Sequence, residues 1–295
     1  MLLKEYKNQF AQELSAIYDV QEIDSFFYIL LEAFHQMKRV DLALQPEIEL
    51  DPMQLLQWET VLAQLIEQRP IQYILGETEF FGLPFYVNEN TLIPRPETEE
   101  LVDWIISQSK VENQPEAKPN GAELKSAIKI LDIGTGSGCI AVSLAKNLPN
   151  AEVFALDVSE KALVVAKKNA VRNEVNVTFL HQSILETEDL VQQFDIIVSN
   201  PPYVRHLEKE EIKKNVLDYE PHLALFVEDH DALLFYRKIT QLAKKNLTPN
   251  GKLYFEINQY LGKEMIALLE EYQFQNIELK KDIYGNDRMI YGSHS

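Results

Sequence analysis

The residues best equipped for chemistry stand together at Asn200-Pro201-Pro202-Tyr203. They follow Ile196-Ile197-Val198, a short β-branched apolar run that reads as a buried strand. Two successive prolines fix φ and remove two backbone donors, so the strand must stop there. One side-chain amide and one aromatic ring are thereby held at a strand end, where open α/β sheets bind ligands. Asn200 can offer its side-chain carbonyl, and Pro201 its backbone carbonyl. Two such acceptors can grip both hydrogens of a planar NH₂ group, and the stiff prolines preorganise them. Tyr203 can stack on a flat group and shut out water. Taken alone, the segment also reads as a tight turn with Tyr203 covering the core.

A second constellation is Leu131-Asp132-Ile133-Gly134-Thr135-Gly136-Ser137-Gly138, between an expected strand and the next helix. Glycines allow positive φ and let backbone N–H groups approach a ligand. The spacing is G-x-G-x-G. A dinucleotide fingerprint would need glycine where Cys139 stands, and a phosphate-binding loop would need a lysine. Asp157, at the end of the following strand, suits a carboxylate receiving both ribose hydroxyls of an adenosine.

Asp-x-Gly-x-Gly-x-Gly followed by a second-strand acid resembles the S-adenosyl-L-methionine site of class I methyltransferases. The resemblance implies that Gly134, Thr135, Gly136, Ser137 and Gly138 line the methionine and ribose portion. Asp132 would reach the ligand's amino group or fix the loop, and Asp157 would hold the ribose. Asn200, beside the cofactor, would touch both donor and acceptor, and the product would be S-adenosyl-L-homocysteine. Asn-Pro-Pro-Tyr resembles the motif of methyltransferases that act on planar amino nitrogens: adenine N6, guanine N2 or a glutamine amide. Such a nitrogen has a delocalised lone pair, and gripping its hydrogens favours a pyramidal transition state. Asn200, Pro201 and Tyr203 are the expected catalytic residues, with Pro202 beside them in the acceptor site.

Several elements must position these residues. Over residues 1–75, Leu3, Tyr6, Phe10, Leu14 and Ile17 fall at three- and four-residue steps, giving an amphipathic helix. Asp19 with Glu22 resembles a capping box before a second helical run through Phe34. Asp51-Pro52 is an N-cap with a first-turn proline. A small helical bundle is expected there, then a hairpin-like connector over 76–95. Pro96 should start a helix at Glu97-Thr98-Glu99-Glu100, and residues 107–127 read as a loose polar surface segment. From residue 128 strands and helices alternate. Strands are expected at 128–133, 153–156, 175–180, 194–199 and 252–257, with two closing strands near 277–279 and 288–291. Helices are expected at 139–147, 160–172, 232–246 and 265–272. That alternation implies a mainly parallel sheet covered on both faces.

Composition narrows the function further. The formal net charge is −18. Segment 1–75 contributes −7 of it, from five Lys and Arg against twelve Asp and Glu. An acidic surface disfavours stable nucleic-acid binding, since phosphate contacts need clustered cations. One cysteine permits no internal disulfide, which fits a reducing, cytoplasmic setting. The six histidines show no metal-ligand spacing, so no metal is expected. No signal peptide or membrane-spanning run is evident, and a monomer without membrane association is expected.

Further stretches choose among the amino-nitrogen methyltransferases. They are Pro70-Ile71-Gln72-Tyr73-Ile74-Leu75-Gly76, Leu92-Ile93-Pro94-Arg95-Pro96-Glu97-Thr98-Glu99, Tyr219-Glu220-Pro221, Phe255-Glu256-Ile257 and Asp287-Arg288. Together they resemble the peptide-chain release factor glutamine N5-methyltransferases (the HemK/PrmC family), over nearly the whole chain. The resemblance implies an α/β, Rossmann-like class I methyltransferase domain over 96–295. Its mostly parallel seven-stranded sheet would carry helices on both faces, preceded by an all-α bundle and a hairpin. It implies the glutamine of the GGQ motif in class 1 release factors as substrate, with residues 1–75 docking that protein. Arg95 and Glu97 would border the acceptor site, although a helix N-terminus with a salt bridge explains them almost equally well. Glu256 reads as a structural acid at a sheet end. Ser183, next to Ile184 in the adenine region, stands where the family commonly has an acid meeting the adenine amino group. Asn258 stands where the family usually has glycine. The alternatives are a nucleic-acid amino-group methyltransferase and a binding protein on a vestigial methyltransferase fold.

Overall fold

A computed structural model describes residues 1–112 and 127–294 of the chain. Two compact units emerge, Met1–Gly76 with Lys214–Tyr219, and Glu77–Lys213 with Glu220–Ser295.

The first unit is helical: α1 (Leu3–Leu14), α2 (Val20–His35), α3 (Arg39–Leu44), α4 (Pro52–Ile66) and α5 (Ile71–Leu75), joined by the short helix Lys214–Tyr219. Asp19 caps α2 by accepting from the N–H groups of Gln21 and Glu22. Asp51 and Gln54 make a reciprocal capping box at α4. The 3- and 4-residue apolar spacing of α1 buries Leu3, Tyr6, Phe10 and Leu14. Trp58 of α4 sits among Tyr6, Phe10, Phe27 and Phe34, and its indole N–H donates to His35 Nε2 at 3.0 Å. The Tyr219 hydroxyl donates to the Glu67 carbonyl at 3.0 Å, tying the late helix to α4's end.

The second unit begins with a hairpin, β1 (Glu77–Phe80) and β2 (Leu83–Tyr86). Its two-residue turn, Phe81-Gly82, has positive φ at both positions, the combination that matches hairpin twist. The helix α6 (Pro96–Glu112) follows. It takes in residues 107–112, where a loose polar segment is expected from sequence. The helix continues because its inner face does: Ile105, Ile106 and Ser109 are buried, and Gln108 Oε1 accepts from Tyr254. Residues 113–126 of that segment lie outside the described residues.

Next come β3 (Ile128–Ile133), α7 (Cys139–Asn147), β4 (Ala151–Asp157), α8 (Glu160–Arg172), β5 (Val177–His181), β6 (Phe194–Ser199) and β7 (Val204–Arg205). Then follow α9 (the Lys214–Tyr219 helix of the first unit), α10 (His222–Leu225), β8 (Phe226–Val227), α11 (Leu234–Asn246), β9 (Leu247–Glu256), α12 (Gly262–Glu271), β10 (Gln275–Lys281) and β11 (Asp287–Ser293). The seven-stranded sheet has the order β10-β11-β9-β6-β3-β4-β5. Its five strands from β9 to β5 are parallel, while β11 pairs antiparallel to both neighbours. Period-2 alternation splits the core into two layers. Ile130, Ile196, Val198 and Tyr254 face one, and Leu131, Ile197, Leu253 and Phe255 face the other. The paired β7 and β8, and the short helices between them, are unforeseen by the sequence reading. They are too short to carry a periodic signal. Among the described residues no helix is long and apolar enough to cross a membrane.

Candidate active site

The chain runs from β3 through β4 to β5 on one side, then returns to β6 on the other side of β3. That reversal opens a crevice at the carboxyl ends of β3, β4 and β6. A cavity of about 230 Å³ lies there. Gly134 and Gly136, Asp157, Ser183 and Ile184, and Asn200, Pro201 and Pro202 all line it. A larger but open groove of about 730 Å³ along β4, β5 and α8 gathers none of these residues.

The glycine loop is shaped by its neighbours. Gly134 N–H and Thr135 N–H both donate to the Leu156 carbonyl, turning the chain sharply off β3. Gly134, Gly136 and Gly138 all have positive φ. A Cβ at Gly134 or Gly136 would meet nothing within 4 Å, so these two face open space suited to a ligand. Gly138 is different: a Cβ there would come within 3.1 Å of Ala166 Cβ. It lets α7 pack against α8.

Asp157 is only 8% exposed. Its Oδ2 accepts from Gly136 N–H and its Oδ1 from Ser159 N–H, each at 2.8 Å. Burial pushes its carboxyl above the ordinary range, opposed by the Ser159 and Gly136 N–H groups. Each oxygen keeps a second lone pair for a ligand hydroxyl. Asp132 is fully buried behind the loop rather than in the cavity lining. Its Oδ2 accepts from the Thr135 hydroxyl at 2.6 Å, and the Ala141 N–H also favours its charged form. Desolvation raises its pKa to about 7. Ser137 and Thr135 are buried too, and their contribution is to the loop. Asn169 of α8 donates to the Ser137 carbonyl at 2.8 Å and to the Tyr86 carbonyl at 2.9 Å, clamping loop and hairpin together.

At the acceptor end, the Ser199 hydroxyl donates to the Ile133 carbonyl at 2.7 Å, fixing the end of β6 against β3. Asn200 donates through Nδ2 to Thr98 Oγ1 at 3.3 Å. Thr98 in turn donates to Glu256 Oε2 at 2.6 Å, and the Tyr203 hydroxyl donates to Glu256 Oε1 at 3.1 Å. Tyr203 is half-buried and packs against the core instead of lining the cavity. Its phenol is pushed far up by burial and then by Glu256. Glu256 is 1% exposed and its carboxyl is raised by burial, opposed by Thr98, Arg288 and Tyr203.

Arg95 and Glu97 do not line the cavity. Arg95 pairs with buried Glu220 at 2.5 Å, and Glu220 also accepts from Ile93 N–H at 3.1 Å. This clamp holds the strap Asn90–Leu92, which forms one cavity wall together with Pro221, Leu223 and Ala224. Glu97 lies near enough to Glu256 to disfavour its charge. Asn258, in the glycine position of the resemblance, does not take positive φ. Its amide donates to the Tyr203 carbonyl at 3.1 Å and to Glu208 Oε2 at 3.0 Å, so a side chain is used there. The residues missed from sequence are Thr91 and Leu223 at the cavity wall, Asn169, and the Thr98–Glu256 relay. Their segments were visible as motifs, but no spacing rule connects them.

The fit of S-adenosyl-L-methionine rests on the open faces of Gly134 and Gly136 and on the Asp157 carboxylate in the cavity wall. Among the described residues no cluster of three or more His, Cys, Asp or Glu could hold a metal ion. Sheet order, glycine loop and second-strand acid define a class I, S-adenosylmethionine-dependent methyltransferase. Residues 121–221 match the family described as methyltransferase small domain, and residues 5–76 match the PrmC N-terminal domain. The chain is 72% identical to the release factor glutamine methyltransferase of Flavobacterium psychrophilum, over 98% of both chains. It is 43% identical to that of Bacteroides thetaiotaomicron, over 95% of both. The chain therefore belongs to the release factor glutamine methyltransferase family. The solved catalytic domain of hMettl16 shares the fold, with a TM-score of 0.52 at 17% identity, covering 73% of this chain and 77% of that one.

Proposed function

We propose that this enzyme methylates the side-chain amide nitrogen (N5) of the glutamine in the GGQ motif of class 1 peptide chain release factors. The observation that carries the reading is the shared cavity: Asn200 and Pro201 line the same space as Gly134, Gly136 and Asp157. Membership of the family supports glutamine over a nucleobase. When bound, S-adenosyl-L-methionine supplies an electrophilic sulfonium methyl group, held by Gly134, Gly136 and Asp157, with Ser183 and Ile184 at the adenine.

The chain's own residues prepare the acceptor. Asn200 Oδ1 and the Pro201 carbonyl each accept one amide hydrogen and aim the nitrogen in line with the methyl group at roughly 3 Å. Both acceptors are fixed before substrate arrives, so little reorganisation is needed. The strap at Asn90–Leu92, in the cavity wall, excludes water, while Tyr203 backs the acceptor turn through Glu256. No strong base is required, because the methylated amide nitrogen readily loses its proton. Residues 1–75 help dock the release factor, and the reaction is cytoplasmic, carried out by a monomer without stable nucleic-acid binding.

The test is mass spectrometry of a release factor incubated with enzyme and S-adenosyl-L-methionine. One added methyl on the GGQ glutamine is expected. Labelling of tRNA, rRNA or DNA in place of release factor would sink the proposal. Removing residues 1–75 should spare cofactor binding and impair methylation of intact release factor, and full activity without them would exclude the docking role.

A further inference from the structure

We infer that Thr98 and Glu256 are positioning residues that decide which way the Asn200 amide faces. The inference rests on the acceptor site proposed above. An asparagine side chain has nearly the same shape with its oxygen and nitrogen exchanged, so packing cannot choose between the two orientations. Hydrogen-bond polarity can. Glu256, at the end of β9, is buried, and each of its oxygens takes a hydroxyl: Thr98 at 2.6 Å and Tyr203 at 3.1 Å. A threonine hydroxyl has one hydrogen. Thr98 gives it to Glu256, so Thr98 meets Asn200 with lone pairs only. Asn200 must then present its NH₂ to Thr98, as it does at 3.3 Å. Its Oδ1 is thereby turned away from Thr98, free to accept from the substrate amide. The reversed orientation would set Asn200 NH₂ against the incoming NH₂, donor facing donor.

The same carboxylate thus holds two members of the acceptor motif. It orients Asn200 through Thr98, and it anchors the ring of Tyr203 directly. Thr98 lies in the first turn of α6, so the three side chains join that helix to the end of β9 and to the turn after β6.

The experiment compares T98V, T98S and E256Q with wild type, and T98V alone with T98V in an N200A background. Readouts are kcat, KM for release factor, cofactor Kd by calorimetry, and Tm. T98V keeps the volume of the side chain but removes its hydroxyl. It should lower kcat about 10–100-fold, the scale of a misaimed reacting group, with cofactor Kd unchanged. T98S should recover most of that loss. In the N200A background T98V should cost nothing further, since the residue acts through Asn200. E256Q tests the relay without touching Thr98, because its amide nitrogen opposes one of the two hydroxyl donors. It too should lower kcat and leave cofactor Kd alone. Full kcat in T98V or E256Q, or an equal T98V loss with and without Asn200, would overturn the inference. Failure of wild type to methylate release factor would bring down the functional reading and this inference with it. Activity in wild type and T98V alike would bring down the inference alone.

Discussion

Replacing Asp157 with alanine separates cofactor recognition from loop structure. In the free protein Asp157 already accepts from Gly136 N–H and Ser159 N–H at 2.8 Å each. Asp157 lines the cavity, and a carboxylate with two N–H partners keeps acceptor capacity for the two ribose hydroxyls proposed here. A hydrogen bond to a charged group contributes about 1.5–3 kcal/mol net of water exchange, and water that refills the alanine site recovers part of the loss. A net loss of about 1–3 kcal/mol in affinity is expected, which is a factor of roughly 5–150 in Kd. The substitution also leaves two N–H groups without their acceptor, so the loop between β3 and α7 should loosen and Tm should fall. Calorimetry with S-adenosyl-L-homocysteine and with its 2′,3′-dideoxy analogue distinguishes the two effects. Wild type should discriminate strongly between these ligands, and D157A should bind them almost equally. Undiminished affinity in D157A, or the same discrimination in both proteins, would refute the assignment. The sign with pH is also fixed. The carboxylate is the form expected to bind, and burial raises its pKa. Affinity should therefore be complete above that raised value and fall as pH drops through it.

Three other outcomes are expected. N200A should lower kcat by about 10²–10³ with cofactor affinity nearly unchanged, as for removal of one preorganised polar contact; calorimetry beside steady-state kinetics checks it, and parallel losses would count against an acceptor role. G138A places a side chain at φ +82°, 3.1 Å from Ala166 Cβ, and should destabilise by about 1–3 kcal/mol, measured by urea unfolding; wild-type stability would mean that α7 and α8 have room to part. Asp132, raised from 3.8 to about 7 by desolvation, keeps its proton in the folded state while the unfolded chain has lost it. Stability should then decline as pH rises between those values. D132N should flatten that slope in unfolding curves measured from pH 4 to pH 8, and an identical slope in both proteins would place the proton elsewhere.

Much of this protein was legible without coordinates, because the governing signals are local. Ile128–Ile133, Cys139–Asn147, Glu160–Arg172 and Phe194–Ser199 carry β-branched runs or helical periodicity bounded by glycine or proline, and their ends follow from backbone sterics. Pro201 and Pro202 end β6 for the same reason. That Gly134, Gly136 and Asp157 share one cavity follows from the sequence, because a strand–loop–helix unit brings them to one sheet edge whatever packs around it. The tertiary structure alone decided how each side chain is used. Asp132 and Ser137 belong to the motif yet lie behind the loop. Arg95 and Glu97 flank the site in sequence, but Arg95 is committed to Glu220, more than a hundred positions away. The Glu256–Thr98–Asn200 relay joins β9, α6 and the turn after β6. Sequence spacing cannot express such a contact, because it depends on three elements packed on one sheet and on the direction in which a single hydroxyl hydrogen points. The sequence by itself singles out the atoms proposed for methyl transfer; only packing sets the hydrogen bond that turns the Asn200 NH₂ toward Thr98.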